Sequence, residues 1–232
     1  MNSAKFPDCA AILFDFGGTL DSDGEHWLDR FFALFKEAGL HPPHEDIKRA
    51  FYQADACCEA DARIDSWGLR PLMHHHVNLQ FAALGLDDFS KRDAMVEAFC
   101  RKSENYLRRN AHLLRKAAKR FRLGLVSNFY GNVATICDEE GLASSLEVIV
   151  DSGRCGRRKP ETGIFLAALR ALGLVPEQVV FVGDSYERDM IPARRLGMRT
   201  IWLKGPNPRI PVDAEPVDAW ISSLTELERL IL

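Results

Sequence analysis

At 232 residues, 47% hydrophobic and 27% charged, the chain has the size of one large domain, or of one domain carrying a smaller insert, and the make-up of an ordinary globular protein. A net charge of −3 excludes the strongly basic balance of a nucleic-acid or membrane-surface binder, and no apolar run is long enough to span a bilayer. The N-terminal MNSAKFPDCAA carries no secretory signal, and the six cysteines are scattered without a C-x-x-C pair, so they are expected to be free thiols of a cytoplasmic protein.

The first predicted element is a strand at 9–16, CAAILFDF, which delivers Asp15 into a turn holding Gly17, Gly18 and Thr19. From 21 to 115 the pattern is helical without strand signals. The segments at 25–40, 44–60, 72–85 and 91–110 each carry an apolar stripe, divided by turn signals at 41–44, 66–68 and 84–89. Strands are predicted again at 121–128 (FRLGLVSN), 146–152 (LEVIVDS) and 178–185 (QVVFVGDS), with weaker ones at 199–203 and 218–221. Helical patterns lie between them at 133–141, 162–173 and 189–197, and SSLTELERLIL reads as a closing helix with an S-x-x-E start.

Alternating strands and helices predict an α/β core: a Rossmann-like, doubly wound parallel sheet built from 1–20 and 116–232, with an all-helical insert at 21–115. In such a sheet ligands bind beyond the carboxyl ends of the strands. Asp15, Ser127, Asn128 and Asp184 stand at three predicted strand ends, and Lys159 precedes the strand at 178–185. Two carboxylates from different strands suit Mg²⁺, a hard cation that takes oxygen ligands.

Four motifs in this order, DFGGTL at 15–20, LVSN at 125–128, Lys159-Pro160 and GDSYERD at 183–189, resemble the haloacid dehalogenase-like (HAD) superfamily, in particular the phosphohydrolases with a helical cap inserted after the first strand. With the matching helix pattern the resemblance covers essentially the whole chain. It implies a Mg²⁺-dependent phosphatase acting on a small phosphorylated metabolite. Asp15 would be the nucleophile that forms an aspartyl-phosphate, and Mg²⁺ would be held by Asp15, the carbonyl of Gly17 and Asp184, with Asp189 in support. Gly18, Ser127, Asn128 and Lys159 would bind the phosphoryl group, and Lys159 would also balance its charge. The acidic metal motif sets the chain apart from the metal-independent dehalogenases that name the superfamily.

One position departs from the pattern. The family usually has Asp where this chain has Gly17, and that Asp serves as general acid and then general base. The expectation is therefore a modified mechanism. The alternative is a catalytically weak or inactive phosphometabolite-binding protein of the same fold. Asp21, Asp23 and His74 are candidates to supply the proton, as is a water in the space left by the missing side chain, and a β-carbon at 17 is expected to strain the turn. His74, His75 and His76 point about 100° apart on a helix and cannot share one site. Trp27, Arg63, Trp67, Arg70 and His74 are insert residues of a type that could meet substrate, while Arg157 and Arg158 read as surface charges.

Overall fold

A computed structural model of the chain describes residues 6–205 and 217–231. Residues 1–5, and Leu232, the last residue of the predicted closing helix, lie outside them. Six strands form one sheet: β1 (Ala11–Phe14), β2 (Arg122–Ser127), β3 (Val148–Asp151), β4 (Val179–Gly183), β5 (Arg199–Leu203) and β6 (Ala219–Ile221). Every pairing is parallel and the order is β3-β2-β1-β4-β5-β6. All six predicted strands are present, trimmed by a residue or two at their ends.

The apolar runs are continuous because the sheet is covered on both faces. Ile12, Phe14, Leu123, Leu125, Val180 and Val182 point into one apolar cluster, and Ala11, Leu13, Val126, Val179 and Phe181 into the other. The first cluster takes in α1 (Trp27–Glu37), α2 (His44–Ala60), α3 (Leu69–Leu84) and α4 (Phe89–Ala117), together with α5 (Val133–Glu139). A short helix that the sequence reading did not separate, α6 (Ser152–Cys155), follows β3. The second cluster takes in α7 (Thr162–Leu172) and α8 (Ile191–Leu196). The chain closes with α9 (Leu227–Ile231), preceded by the expected capping box, in which the Glu226 carboxylate accepts from the Ser223 N–H at 3.1 Å.

All four insert helices occur where helical periodicity predicts them. The expected junction at 115 lies inside α4, whose last turn buries Leu113, Leu114 and Ala117 in the cluster against the sheet. No helix among the described residues is long and apolar enough to cross a membrane. All six cysteines are free. The feature that positions a site is the reversal of strand order at β1. The chain leaves β1 toward β2 and β3, then returns to β4 on its other side. This opens a crevice at the carboxyl ends of β1 and β4.

Candidate active site

Asp15 follows the last residue of β1, and its N–H still donates to Val182 O of β4 at 2.9 Å, which fixes its backbone in the sheet register. Its side chain is buried and crowded with donors. Oδ1 accepts from Phe16 N at 2.7 Å and from Ser127 Oγ at 2.9 Å, and it pairs with Lys159 Nζ at 2.7 Å. No hydrogen bond among the described residues reaches Oδ2. One carboxylate oxygen is thus immobilised while the other keeps its lone pairs.

Lys159 is placed by Asn128. The Asn128 amide accepts from Lys159 N at 2.7 Å and donates to Lys159 O at 2.9 Å, gripping both polar groups of that backbone. The ammonium then sits between Asp15 Oδ1 and Asp189 Oδ1, 2.7 Å from each. Burial works against its charge, but the carboxylates of Asp15 and Asp189 outweigh this and hold its pKa above the ordinary lysine value. The cation is permanent at any physiological pH.

Asp184 follows β4 and accepts from Thr19 Oγ1 at 3.1 Å. Asp189, fully buried, uses Oδ1 for Lys159 and Oδ2 for Ser185 N at 3.0 Å. Oxygens of Asp15, Asp184 and Asp189 all lie within 4.8 Å of one another. Three carboxylates around one ammonium repel. Removal from water, then the charges of Asp15 and Asp189, push Asp184 well above the usual carboxylate range, and burial pushes Asp189 up to about 6. The cluster lacks positive charge, and its donors are all hard oxygens, so it fits a divalent cation such as Mg²⁺.

The two glycines of the first turn differ. Gly17 has φ −70° and ψ 122°, open to any residue, and a Cβ there would find the Trp27 indole no closer than 3.6 Å. The expected strain at 17 is therefore absent. It belongs to Gly18, whose φ is +85° and whose Cβ would fall 2.5 Å from an Asp184 carboxylate oxygen.

A family model for haloacid dehalogenase-like hydrolases matches residues 9–197, most of the chain. The protein belongs to that family. The haloacid dehalogenase-like hydrolase domain-containing protein 3 of Bos taurus is 34% identical over 117 residues, covering 49% of this chain and 47% of that protein. A phosphoserine phosphatase of Thermus thermophilus is 36% identical over 88 residues, 38% of this chain and 34% of the other. The matches thus span less than half the length of these curated relatives. Among solved structures, a dehalogenase with an intermediate complex superposes with a TM-score of 0.65 at 17% identity, covering 97% of both chains, a likeness of fold.

Within this family member, the candidate proton sources have other work. Asp21 is fully buried. It accepts from Gly18 N, Trp27 Nε1 and Arg30 NH1, each at 2.7 Å, and more distantly from Ser103 Oγ at 3.4 Å. Asp23 takes a two-pronged bond from Arg109 at 2.7 and 2.8 Å and the N–H of Leu224; despite burial, these donors hold its pKa below the usual value. The oxygens of both are occupied by these donors. His74 does not line the cleft beside Asp15; the buried member of the histidine run is His76. Of the insert residues singled out, Trp27 lines that cleft. Arg63 pairs with Asp61 and Arg70 with Glu97 and Glu104 on the surface, while the Trp67 carbonyl accepts from Asn132.

The cleft, open to solvent, brings Asp15, Gly17, Ser127, Asn128, Lys159 and Asp184 together. It also holds residues the sequence reading did not single out, among them Phe51, Asp55 and Glu59 of α2, and Tyr130. Arg158 lines the cleft as well, paired with Glu59 at 2.9 Å. A signal existed in α2: positions 51, 55 and 59 recur every four residues and share one helix face, where two acids interrupt an apolar stripe.

Proposed function

We propose that the protein is a Mg²⁺-dependent phosphatase that hydrolyses a small phosphorylated metabolite through an aspartyl-phosphate on Asp15. The observation that carries this is the cluster itself: a carboxylate with one oxygen held by three donors, an ammonium shared with Asp189, and a second acidic strand end at Asp184. The family match and the phosphoserine phosphatase relative support it. The division of labour we propose has a core of 1–20 and 116–232 and a cap of 21–115 that closes over the cleft.

In the first step an Asp15 oxygen attacks phosphorus, and the bond to the leaving oxygen breaks with its electron pair. Ser127 and Lys159 bind and orient the phosphoryl oxygens, while Asn128 keeps the Lys159 backbone in place; the N–H of Gly18, expected to join them, is already given to Asp21 at 2.7 Å. In the second step water attacks the aspartyl-phosphate, the Asp15–phosphorus linkage opens, and inorganic phosphate leaves. Mg²⁺, held by Asp15, Asp184 and the Gly17 carbonyl with Asp189 behind them, would offset the phosphoryl charge. Asp184→Asn is expected to weaken Mg²⁺ binding at least about tenfold, which titration calorimetry would read. Unchanged affinity would move the metal elsewhere.

Gly17 shapes the specificity. Without an acid at 17 the leaving oxygen departs with little protonation, so aryl and acyl phosphates are expected to react better than alkyl phosphates. The backbone at 17 accepts a β-carbon, with the Trp27 indole no closer than 3.6 Å, so Gly17→Asp is open to test. It is expected to raise kcat/KM on alkyl phosphates more than on aryl phosphates, by about 10²-fold, the lower end for acid–base catalysis. The test is a screen of phosphorylated metabolites with and without Mg²⁺, run on both proteins. Efficient wild-type hydrolysis of alkyl esters with no gain in Gly17→Asp would point to another proton source. No turnover by either would favour the alternative raised by Gly17, a phosphometabolite-binding protein.

A further inference from the structure

Asp55 stands out among the cleft residues. Its Oδ1 accepts from the Tyr130 hydroxyl and faces His76 Nε2 at 3.1 Å. No hydrogen bond among the described residues reaches its Oδ2, and the side chain keeps 24% of its exposure. His76 is fully buried, its ring stacked on Phe31 with centroids 5.4 Å apart, and its Nδ1 lies 2.9 Å from Gln80 Nε2. With the Gln80 amide donating to Nδ1, the hydrogen on Nε2 is the one offered to Asp55. Burial, then the charge of Asp55, holds the Tyr130 phenol well above its ordinary pKa, so it too remains a donor.

Two donors therefore aim one oxygen and leave the other uncommitted. The neighbouring acid differs, because Arg158 cancels the charge of Glu59 one helical turn further along α2. Asp55 has no cation of its own among the described residues. A carboxylate on the wall of the cleft, with one oxygen held by two donors and the other uncommitted, is built to accept a hydrogen bond. Tyr130 lies three residues after Ser127 in the same loop, so this group is tied covalently to the phosphate end of the cleft.

We infer that Asp55, oriented by Tyr130 and His76, is the specificity-determining residue for the leaving group: its Oδ2 accepts a hydrogen bond from a hydroxyl or ammonium on the alcohol half of the ester. The inference rests on the phosphatase reading. It selects polyol or amino-alcohol phosphates over plain alkyl phosphates and disfavours esters that carry a second anion. Arg188, which also lines the cleft, is the group that an extra anion would seek instead.

The test uses the full chain with Mg²⁺ and kcat/KM for six esters. p-Nitrophenyl phosphate has no donor on its leaving group and reports on the chemistry alone. Glycerol 1-phosphate is compared with propyl phosphate, and phosphoethanolamine with ethyl phosphate, which separates hydroxyl from ammonium. Phosphoglycolate carries the second anion. In the wild type the donor-bearing ester of one or both pairs is expected to lead by about 10- to 100-fold, and Asp55→Asn should bring that ratio toward one. Wild-type ratios near one overturn the inference without any variant. A ratio that survives in Asp55→Asn, or a preference for phosphoglycolate, overturns it too. If p-nitrophenyl phosphate is not hydrolysed at all, the phosphatase reading has failed and the inference falls with it.

Discussion

Asp15→Asn is expected to abolish turnover, by more than about 10⁴-fold, while the fold survives. The amide is isosteric but is no longer an anionic nucleophile. The structure says why the protein should tolerate it. Phe16 N and Ser127 Oγ can still donate to the amide oxygen, and Lys159 keeps Asp189 at 2.7 Å as its counter-charge. The change also removes one of three crowded carboxylates, the charge that helps to raise Asp184 and Asp189. The measurement pairs p-nitrophenyl phosphate kinetics with a thermal melt followed by circular dichroism. Retained activity at an unchanged melting temperature would refute Asp15 as nucleophile. Loss of activity together with loss of the folded signal would make it a structural residue instead.

The second large effect is expected at Arg30, a residue that does not line the cleft. Arg30 is 2% exposed and Asp21 fully buried, their salt bridge spans 2.7 Å, Arg30 NH2 donates to Ser103 at 2.8 Å, and the guanidinium lies 4.1 Å over the Phe99 ring. Asp21 in turn accepts from Gly18 N, so this pair links the nucleophile turn to α1 and α4. Arg30→Met removes the cation and strands a buried carboxylate, an error of about 3–5 kcal/mol. For a chain of this size that is a fall in Tm of roughly 6–20 °C. Adding Asp21→Asn should recover part of the loss, because the stranded charge is gone, although the double variant still lacks the grip on the turn. Denaturant unfolding of the two single variants and the double variant reads this directly. Additive losses would show that the two residues are not coupled. A kcat that falls in the recovered double variant would place the pair in support of the Asp15 turn.

The sequence by itself determined the sheet and the reactive strand ends. Apolar runs of four to eight residues can be buried on both faces only as parallel strands under helices, and the residue after each run must emerge at the carboxyl edge. Hence Asp15, Ser127 and Asp184 could be named from local pattern, and Lys159 from the order of the motifs. The helical insert was legible for the same reason, since an apolar stripe is a property of neighbouring residues.

The tertiary structure alone decided which polar groups are already occupied. Asp21 is six residues from Asp15 and looked available, yet Arg30 and Ser103 close over it, the latter from 82 residues away in the chain. Asp55 looked like one acid among many on α2 and becomes distinctive because Tyr130, 75 residues on, and His76 meet the same oxygen. Gly17 and Gly18 are equivalent in composition, but the backbone angle at 18 and the approach of Asp184 make one glycine obligatory and the other replaceable. Hydrogen bonds, buried charge and steric room are pairwise quantities, set by which distant residues arrive within about 3 Å of each other, and local periodicity carries no record of that distance.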